Sequence, residues 1–315
     1  MAQRRIERVA VIGTGTIGMG WAALFLANGL AVGASDPAPG AETRLRRFIA
    51  DSWPVLARLG PIAPAPPQDL LTFHPEPEAA AEGADFVQEN APERESVKQA
   101  LLARIDAVLP AETVIASSSS GLLISRLQSS CRHPERVVLG HPFNPPHLIP
   151  LVEVVGGALT AAAVIERAME FYAAIGKRPI HIRREIPGHV ANRLQAALWR
   201  EAVHLIASGV ASVADVDAAI SEGPGLRWAL MGPHLTFHLA GGEGGMAHFL
   251  AQLGPPLESW WGDLGAPSLT PQVQKALTEG VAAAAGDRDV ATLAATRDRF
   301  LLDLLALKKT ARDKN

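Results

Sequence analysis

Cysteine, tyrosine and long apolar runs are scarce in this 315-residue sequence, which has one residue each of Cys and Tyr. A lone cysteine, Cys131, excludes an intrachain disulfide framework and is typical of a reducing compartment, so we expect a cytoplasmic protein. No segment reaches the roughly 18 to 20 uninterrupted apolar residues of a membrane span. We therefore expect no association with a membrane.

An excess of one charge sign is also missing, since 29 Lys and Arg oppose 32 Asp and Glu and the formal net charge is -3. This balance offers no basic footprint, so we expect no nucleic-acid partner. No cluster of histidines and carboxylates has metal-ligand spacing, and we expect no metal site. Hydrophobic residues make up 48% of the chain and charged residues 19%, which indicates a globular protein long enough for two domains.

A glycine-rich segment follows the first apolar run, Arg8–Ile12, which has the character of a strand buried in a parallel sheet. The segment consists of Gly13, Thr14, Gly15, Thr16, Ile17 and Gly18. Its spacing, followed by a helical pattern at 19–28 and a strand pattern at 30–34, is that of a dinucleotide-binding unit. Asp36 then stands where a carboxylate accepts hydrogen bonds from an adenosine ribose and repels a 2′-phosphate. The sequence therefore predicts NAD, and not NADP, as the cofactor.

Strand-like and helical segments alternate through the first half of the chain. Apolar runs predict further strands at 84–88, 114–117, 137–140 and 151–155, and helical spacing predicts helices at 41–60, 94–108 and 160–176. This alternation predicts an α/β Rossmann-type domain of residues 1–184, with a doubly wound, mostly parallel sheet.

The second half, by contrast, has only helical patterns, interrupted by glycine and proline clusters. It predicts an all-α C-terminal domain of residues 185–315 that serves in substrate binding and dimerisation. Because such a helical unit often buries its apolar surface against a second copy, we expect a homodimer.

A histidine and a carboxylate stand near each other in the segment 140–155. His141 is at a proline-stiffened turn, and Glu153 is inside the apolar run 151–155. A buried carboxylate is costly without a partner, and an imidazole oriented by a carboxylate is a common general acid or base. On this segment alone, a structural ion pair explains the two residues equally well.

Together these motifs resemble the 3-hydroxyacyl-CoA dehydrogenase family along nearly the whole chain. The resemblance is carried by the glycine loop 13–18, the serines at 117–120, and the stretches GHPFNP at 140–145, LVEVV at 151–155 and PGHVANR at 187–193. It implies catalytic roles for Ser120, His141, Glu153 and Asn192. It also implies that Glu93, Lys98 and Asn144 lie near the nicotinamide half of NAD.

In the chemistry that the resemblance implies, a secondary alcohol loses its hydroxyl proton while hydride passes to NAD. His141 would take the proton and Glu153 would fix the histidine tautomer. Ser120 and Asn192 would hydrogen-bond the substrate oxygen. Ser120 has an alternative role as the cap of a following helix, and Asn192 as an ordinary residue of a helix surface.

The sequence departs from the acyl-CoA enzymes of the family at two places. No lysine precedes Lys98, although three arginines at 44, 46 and 47 partly weaken this argument, and Pro142 follows His141 where those enzymes typically have an aromatic residue. This version is similar to the branch of small-substrate enzymes, which contains L-carnitine 3-dehydrogenases and the L-gulonate dehydrogenases related to lambda-crystallin. Segments 197–202, 223–233 and 237–246 are similar to the carnitine enzymes and favour L-carnitine as the substrate.

Carnitine carries a trimethylammonium group that cannot donate a conventional hydrogen bond, so aromatic faces are its natural host. The candidates are Trp199, Trp228 and Phe143, with Phe237 behind them. Arg227 is the candidate for the substrate carboxylate, because its planar fork matches that group. Ordinary packing of the tryptophans and a surface or structural role for Arg227 are alternatives.

Three other functions also remain open for the chain as a whole. It could oxidise L-gulonate or a 3-hydroxyacyl-CoA in place of carnitine. It could also bind NAD without catalysis, as a crystallin-like protein.

Overall fold

The computed structural model describes residues 5–313, and they divide into two compact units. The first unit contains the chain up to residue 192 together with 300–306, and the second contains 193–299 and the chain from 307. All strands of the described residues lie in the first unit, whereas the second is helical. The all-α character expected for the C-terminal domain is thus confirmed.

One eight-stranded sheet forms the centre of the first unit. The strands are β1 Arg8–Ile12, β2 Ala31–Ser35, β3 Leu71–His74, β4 Phe86–Glu89, β5 Val114–Ser117, β6 Val137–Pro142, β7 Leu151–Gly156 and β8 Arg178–His181. Their order is β3-β2-β1-β4-β5-β6-β7-β8. All neighbours are parallel except β6 and β7, which are antiparallel. The expected Rossmann-type, mostly parallel sheet is confirmed.

Helices cover both faces of this sheet. They are α1 Thr16–Ala27, α2 Ala41–Ala57, α3 Pro77–Ala81, α4 Glu95–Asp106, α5 Ile124–Leu127 and α6 Ala162–Ala174. Alternate residues of β1 belong to the two cores, because side chains alternate across a strand. Val9 and Val11 pack in the core that contains Trp21 of α1, whereas Ala10 and Ile12 pack in the core that contains Leu102 of α4.

Seven further helices follow the sheet. They are α7 Ala191–Ala207, α8 Val213–Ser221, α9 Pro224–Trp228, α10 Pro233–Ala240, α11 Gly245–Asp263, α12 Pro271–Ala285 and α13 Val290–Asp313. Proline is the first residue of α9, α10 and α12. Its lack of a backbone N–H costs nothing there, because the first N–H groups of a helix have no acceptor within the helix. Within residues 5–313, none of the helices combines the length and the apolar character needed to cross a membrane.

The sheet differs from the sequence-based prediction in two respects. Strands β3 and β8 were not predicted, because they lie at the two edges of the sheet and are only partly buried, so they lack the apolar run expected of a strand buried on both faces. Strand β6 also extends beyond the predicted end at residue 140, because its antiparallel pairing with β7 continues to Pro142. His141 therefore lies inside a strand, and the prediction that it occupies a turn is wrong.

Candidate active site

The glycine loop lies between the end of β1 and the start of α1. Gly13 has φ +89, and a Cβ at Gly18 would come within 1.9 Å of the Gly13 carbonyl oxygen, so a side chain at either position would strain the loop. Gly15 precedes α1 without a side-chain cap, and no atom lies within 4 Å of its ideal Cβ position. The positive end of α1 is therefore open to an anion that approaches the backbone.

Asp36 adjoins this loop from the end of β2. Its Oδ2 accepts a hydrogen bond from the Thr14 N–H at 2.7 Å, and its Oδ1 accepts one from the Ala38 N–H at 2.9 Å. The carboxylate is thereby held at the carboxyl ends of two adjacent parallel strands, the edge at which such sheets bind ligands. The loop and Asp36 fit the diphosphate and ribose of a dinucleotide.

The His141–Glu153 pair is formed across the β6–β7 ladder, in which the two residues stand directly opposite each other. His141 Nδ1 lies 2.9 Å from Glu153 Oε2, and the Glu153 side chain is fully buried. Since a carboxylate can only accept, Nδ1 carries a proton, so in the neutral form of the ring the lone pair is on Nε2. The pairing leaves Nε2 as the basic atom of this histidine.

The other Glu153 oxygen, Oε1, accepts hydrogen bonds from the Val190 and Ala191 N–H groups, both at 2.9 Å. These donors belong to the start of α7, so Glu153 also caps that helix. Burial raises the pKa of Glu153, but the hydrogen bonds from His141, Ala191 and Val190 outweigh it and the net shift is downward. The carboxylate is consequently ionised at neutral pH.

Ser120 lies in an exposed turn after β5 that is organised by Glu93. The Oε1 atom of Glu93 accepts hydrogen bonds from the Ser119 hydroxyl at 2.6 Å and from the N–H groups of Ser120 and Gly121 at 3.0 and 2.9 Å. Burial raises the pKa of Glu93, whereas the Ser119 hydrogen bond and the Lys98 charge lower it, with a net decrease. Glu93 is an anion that shapes the serine turn.

Asn192 meets this turn from the first turn of α7. Its Nδ2 donates to the Ser120 carbonyl oxygen at 3.1 Å. The structure thus brings together Ser120 and Asn192. The alternative of Ser120 as a helix cap is wrong, because α5 begins at Ile124 and its N-cap position is Leu123.

Lys98 is placed differently from the other residues expected near the cofactor. Its side chain is 1% exposed and forms a buried ion pair with Glu89, with Nζ at 2.8 Å from Oε1. Its distance to Glu93 Oε2 is 3.8 Å. Asn144 is exposed, in the segment that follows β6. Phe143, before it, has its ring 5.4 Å from that of His141.

The remaining substrate candidates belong to the second unit. Trp199 on α7 is 55% exposed and Trp228 on α9 is 38% exposed, while Arg227 beside it is also exposed. These tryptophans are not core residues of the described chain. Phe237 on α10 stacks on Phe249, with 4.6 Å between the ring centroids.

One residue at the site, His189, was given no role by the sequence analysis. Its ring centroid lies 5.2 Å from that of His141, and its Nε2 lies 3.1 Å from the Ser119 carbonyl oxygen. The position of His189 between Gly188 and the start of α7, three residues before Asn192, was the available hint. Within residues 5–313, no group of three or more His, Cys, Asp or Glu residues could hold a metal ion.

Comparison with known proteins identifies the family of this chain. A model of the 3-hydroxyacyl-CoA dehydrogenase NAD-binding domain matches residues 8–186, and one of the 3-hydroxyacyl-CoA dehydrogenase C-terminal domain matches residues 188–286. The L-carnitine dehydrogenase of Streptomyces griseus is 56% identical over 304 residues, which cover 96% of this chain and 90% of that protein. The L-carnitine dehydrogenase of Pseudomonas aeruginosa is 49% identical, with 97% and 95% covered.

A solved structure shares the fold over nearly the full length of the chain. It is 5-formyl-3-hydroxy-2-methylpyridine 4-carboxylic acid 5-dehydrogenase, described as an NAD+-dependent dismutase, with a TM-score of 0.83 and 31% identity. The match covers 97% of this chain and 99% of that one. The cofactor expected from the glycine loop, NAD, is confirmed by the match of the NAD-binding domain. This chain belongs to the 3-hydroxyacyl-CoA dehydrogenase family and is an NAD-dependent dehydrogenase that acts on a secondary alcohol.

Proposed function

We propose that this protein oxidises the 3-hydroxyl group of L-carnitine to give 3-dehydrocarnitine, with NAD as the oxidant. The observation that carries the choice of substrate is that relatives named L-carnitine dehydrogenase match nearly the whole chain at 47% to 56% identity. The departures from the acyl-CoA enzymes at the segments before Lys98 and after His141 support the same choice.

In this proposal His141 is the general base. Nδ1–H donates to Glu153, so Nε2 is free to accept the hydroxyl proton of the substrate. The anionic Glu153 stabilises the imidazolium that forms and holds the ring in one orientation. NAD, when bound, accepts the hydride that leaves C3 of the alcohol.

The substrate oxygen would be held by Ser120 and Asn192. Ser120 is exposed, so its hydroxyl is accessible to a ligand, and Asn192 is bound to the same turn. Donors directed at this oxygen stabilise it as carbonyl character develops. Glu93 would shape the turn beside the nicotinamide. The ammonium of Lys98 is buried in its ion pair with Glu89, so Lys98 would act on this turn indirectly, through its charge near Glu93.

The ends of the substrate would be recognised by the remaining residues. The candidates for the trimethylammonium group are Phe143, which packs beside His141 in the first unit, and separately Trp199 and Trp228, which are exposed in the second unit. Arg227, whose guanidinium is exposed, would bind the carboxylate. Asn144 would contact the nicotinamide half of NAD, and Asp36 the adenosine ribose.

The decisive experiment is an NADH absorbance assay of the purified protein with a panel of alcohols. The panel contains L- and D-carnitine, L-gulonate, 3-hydroxybutyrate and 3-hydroxybutyryl-CoA, with a parallel arm in which NADP replaces NAD. We expect turnover with L-carnitine and NAD. Turnover of L-gulonate or the CoA ester, but not of L-carnitine, would contradict the proposed substrate. A preference for NADP over NAD would contradict the role of Asp36. Absence of turnover with every alcohol would favour a non-catalytic NAD-binding protein.

Replacing Trp199 by Ala should raise the KM for L-carnitine about 2- to 30-fold, because an aromatic face contributes about 0.5 to 2 kcal/mol to binding a cation. Trp199→Phe keeps an aromatic face and should restore most of the affinity. The measurement is steady-state kinetics, repeated with a carbon analogue that has a tert-butyl group in place of trimethylammonium. An equal rise in KM for both compounds would show that Trp199 provides apolar packing and no recognition of charge.

We also propose that the protein is a homodimer. The second unit exposes large apolar side chains that a single chain leaves in contact with water, among them Leu194, Leu230, Leu239, Trp260 and Trp261. A second copy is an occupant consistent with this surface, since most soluble oligomers are symmetric pairs of one chain. A monomeric mass at all concentrations in sedimentation experiments would contradict it.

A further inference from the structure

His189 has a backbone conformation that calls for an explanation. Its φ is +52, and it is the one non-glycine residue among the described residues that has positive φ. This left-handed conformation is uncommon outside glycine, and residues held in it concentrate at functional sites. Gly188, with φ +74, precedes it, and the next two N–H groups bind Glu153. The unusual turn therefore lies directly beside the proposed base.

The side chain of His189 is 2% exposed and has a defined tautomer. Nε2 lies 3.1 Å from the Ser119 carbonyl oxygen, which can only accept, so Nε2 carries the proton. The ring also packs against His141, with 5.2 Å between centroids and planes inclined at 51°. One imidazole thus connects the turn that presents Ser120 to the ring that would take the substrate proton.

Titratable groups on three neighbouring segments affect the pKa of His189. They are His141 on β6, Glu153 on β7 and Glu93 after β4. Burial lowers the pKa of His189 most, and a positive His141 lowers it further, whereas the Ser119 hydrogen bond and the two carboxylates oppose this decrease. The net shift is downward, so the ring is neutral at neutral pH.

We propose that His189 is a positioning residue for the dehydrogenation: as a neutral imidazole it ties the Ser119–Ser120 turn to the His141 ring. The inference rests on the proposed function, in which His141 gains positive charge during the reaction. A neutral neighbour allows that gain, whereas a cation about 5 Å away would oppose it. The hydrogen bond of His189, its ring contact and its lack of charge thus suit it to this positioning role.

The test compares His189→Gln with His189→Lys. Both replacements are unbranched at Cβ and meet the same positive φ, so they share the backbone strain and differ in charge. His189→Gln should lower kcat by about 2- to 12-fold, the effect of one neutral hydrogen bond. His189→Lys should lower kcat by about 100-fold or more, and the gap should widen as the pH falls and the lysine becomes charged. The KM for NAD should change little in either variant.

NMR of histidine ring nitrogens in the wild-type protein provides a measurement that needs no variant. His189 should remain in the neutral tautomer with Nε2–H at neutral pH, and His141 should carry its proton on Nδ1. A charged His189, or equal kcat values for the Gln and Lys variants at low pH, would overturn the inference. If His141→Gln retained full turnover, the proposed role of His141 as the base would fail. If His141→Gln were inactive but the two His189 variants had equal kcat values, the role of His141 would stand and only the inference about His189 would be overturned.

Discussion

Replacing His141 by Gln should lower kcat by about 10²- to 10⁴-fold, the range over which a positioned general base accelerates proton transfer. Glutamine approximates the size of the ring and can still hydrogen-bond Glu153, but it has no basic nitrogen. The alcohol proton would then have to pass to water while hydride leaves. Stopped-flow measurement of NADH formation in a single turnover would determine the loss in the chemical step.

The control for this variant is His181→Gln, the same replacement at an exposed histidine of the edge strand β8. It should have wild-type kinetics. NAD binding, followed by calorimetry, should be nearly equal in the wild type and both variants, because His141 is assigned to the substrate proton. Retention of more than about a tenth of kcat in His141→Gln would exclude it as the base, since general-base effects are larger than this.

Replacing Lys98 by Met should lower the free energy of unfolding by about 3 to 5 kcal/mol, because it leaves the Glu89 carboxylate buried without its counter-charge. The carboxylate would keep only its hydrogen bonds from the Ala91 N–H and the Ser117 hydroxyl. Methionine preserves most of the volume of the lysine stem, so the loss comes from the charge. Denaturant titration of the wild type and the variant measures the difference.

The matched control is Arg47→Met, which removes the cation of an exposed ion pair with Asp51 in the same unit. It should change stability by less than about 1 kcal/mol, as surface pairs usually do. The double variant Lys98→Met with Glu89→Gln should be more stable than Lys98→Met alone, because the unpaired charge is gone. Equal stability of Lys98→Met and Arg47→Met would contradict the argument.

Features of the site that are local in sequence were predictable. The glycine loop and Asp36 follow one strand–helix–strand pattern, and Glu153 was recognisable as an acid within an apolar run. Features that depend on packing between distant segments were not. The contact of His189 with Ser119 spans 70 positions, and although both residues lie in motifs of the family, no local pattern pairs the two. The same holds for the exact end of β6, which is determined by its pairing with β7.

Lys98 is an intermediate case. The family resemblance pointed to this lysine, but its buried partner Glu89 is visible only once β4 and α4 are folded against each other. A sequence motif indicates that a residue matters at a site, whereas the structure shows which atoms it can reach. For Lys98 those atoms belong to Glu89, at 2.8 Å, and to Glu93, at 3.8 Å.

The two oxygens of Glu153 have a consequence for the range of side chains that position 153 can accept. Both oxygens face N–H donors: one from His141, and two from the start of α7. An amide of the same shape has a single oxygen, so its NH2 group would face a donor whichever way it turned. Glutamine would therefore lose either the orientation of the imidazole or the cap of the helix. Only an ionised carboxylate accepts on both sides, so one residue constrains the orientation of the His141 ring and the start of α7 together.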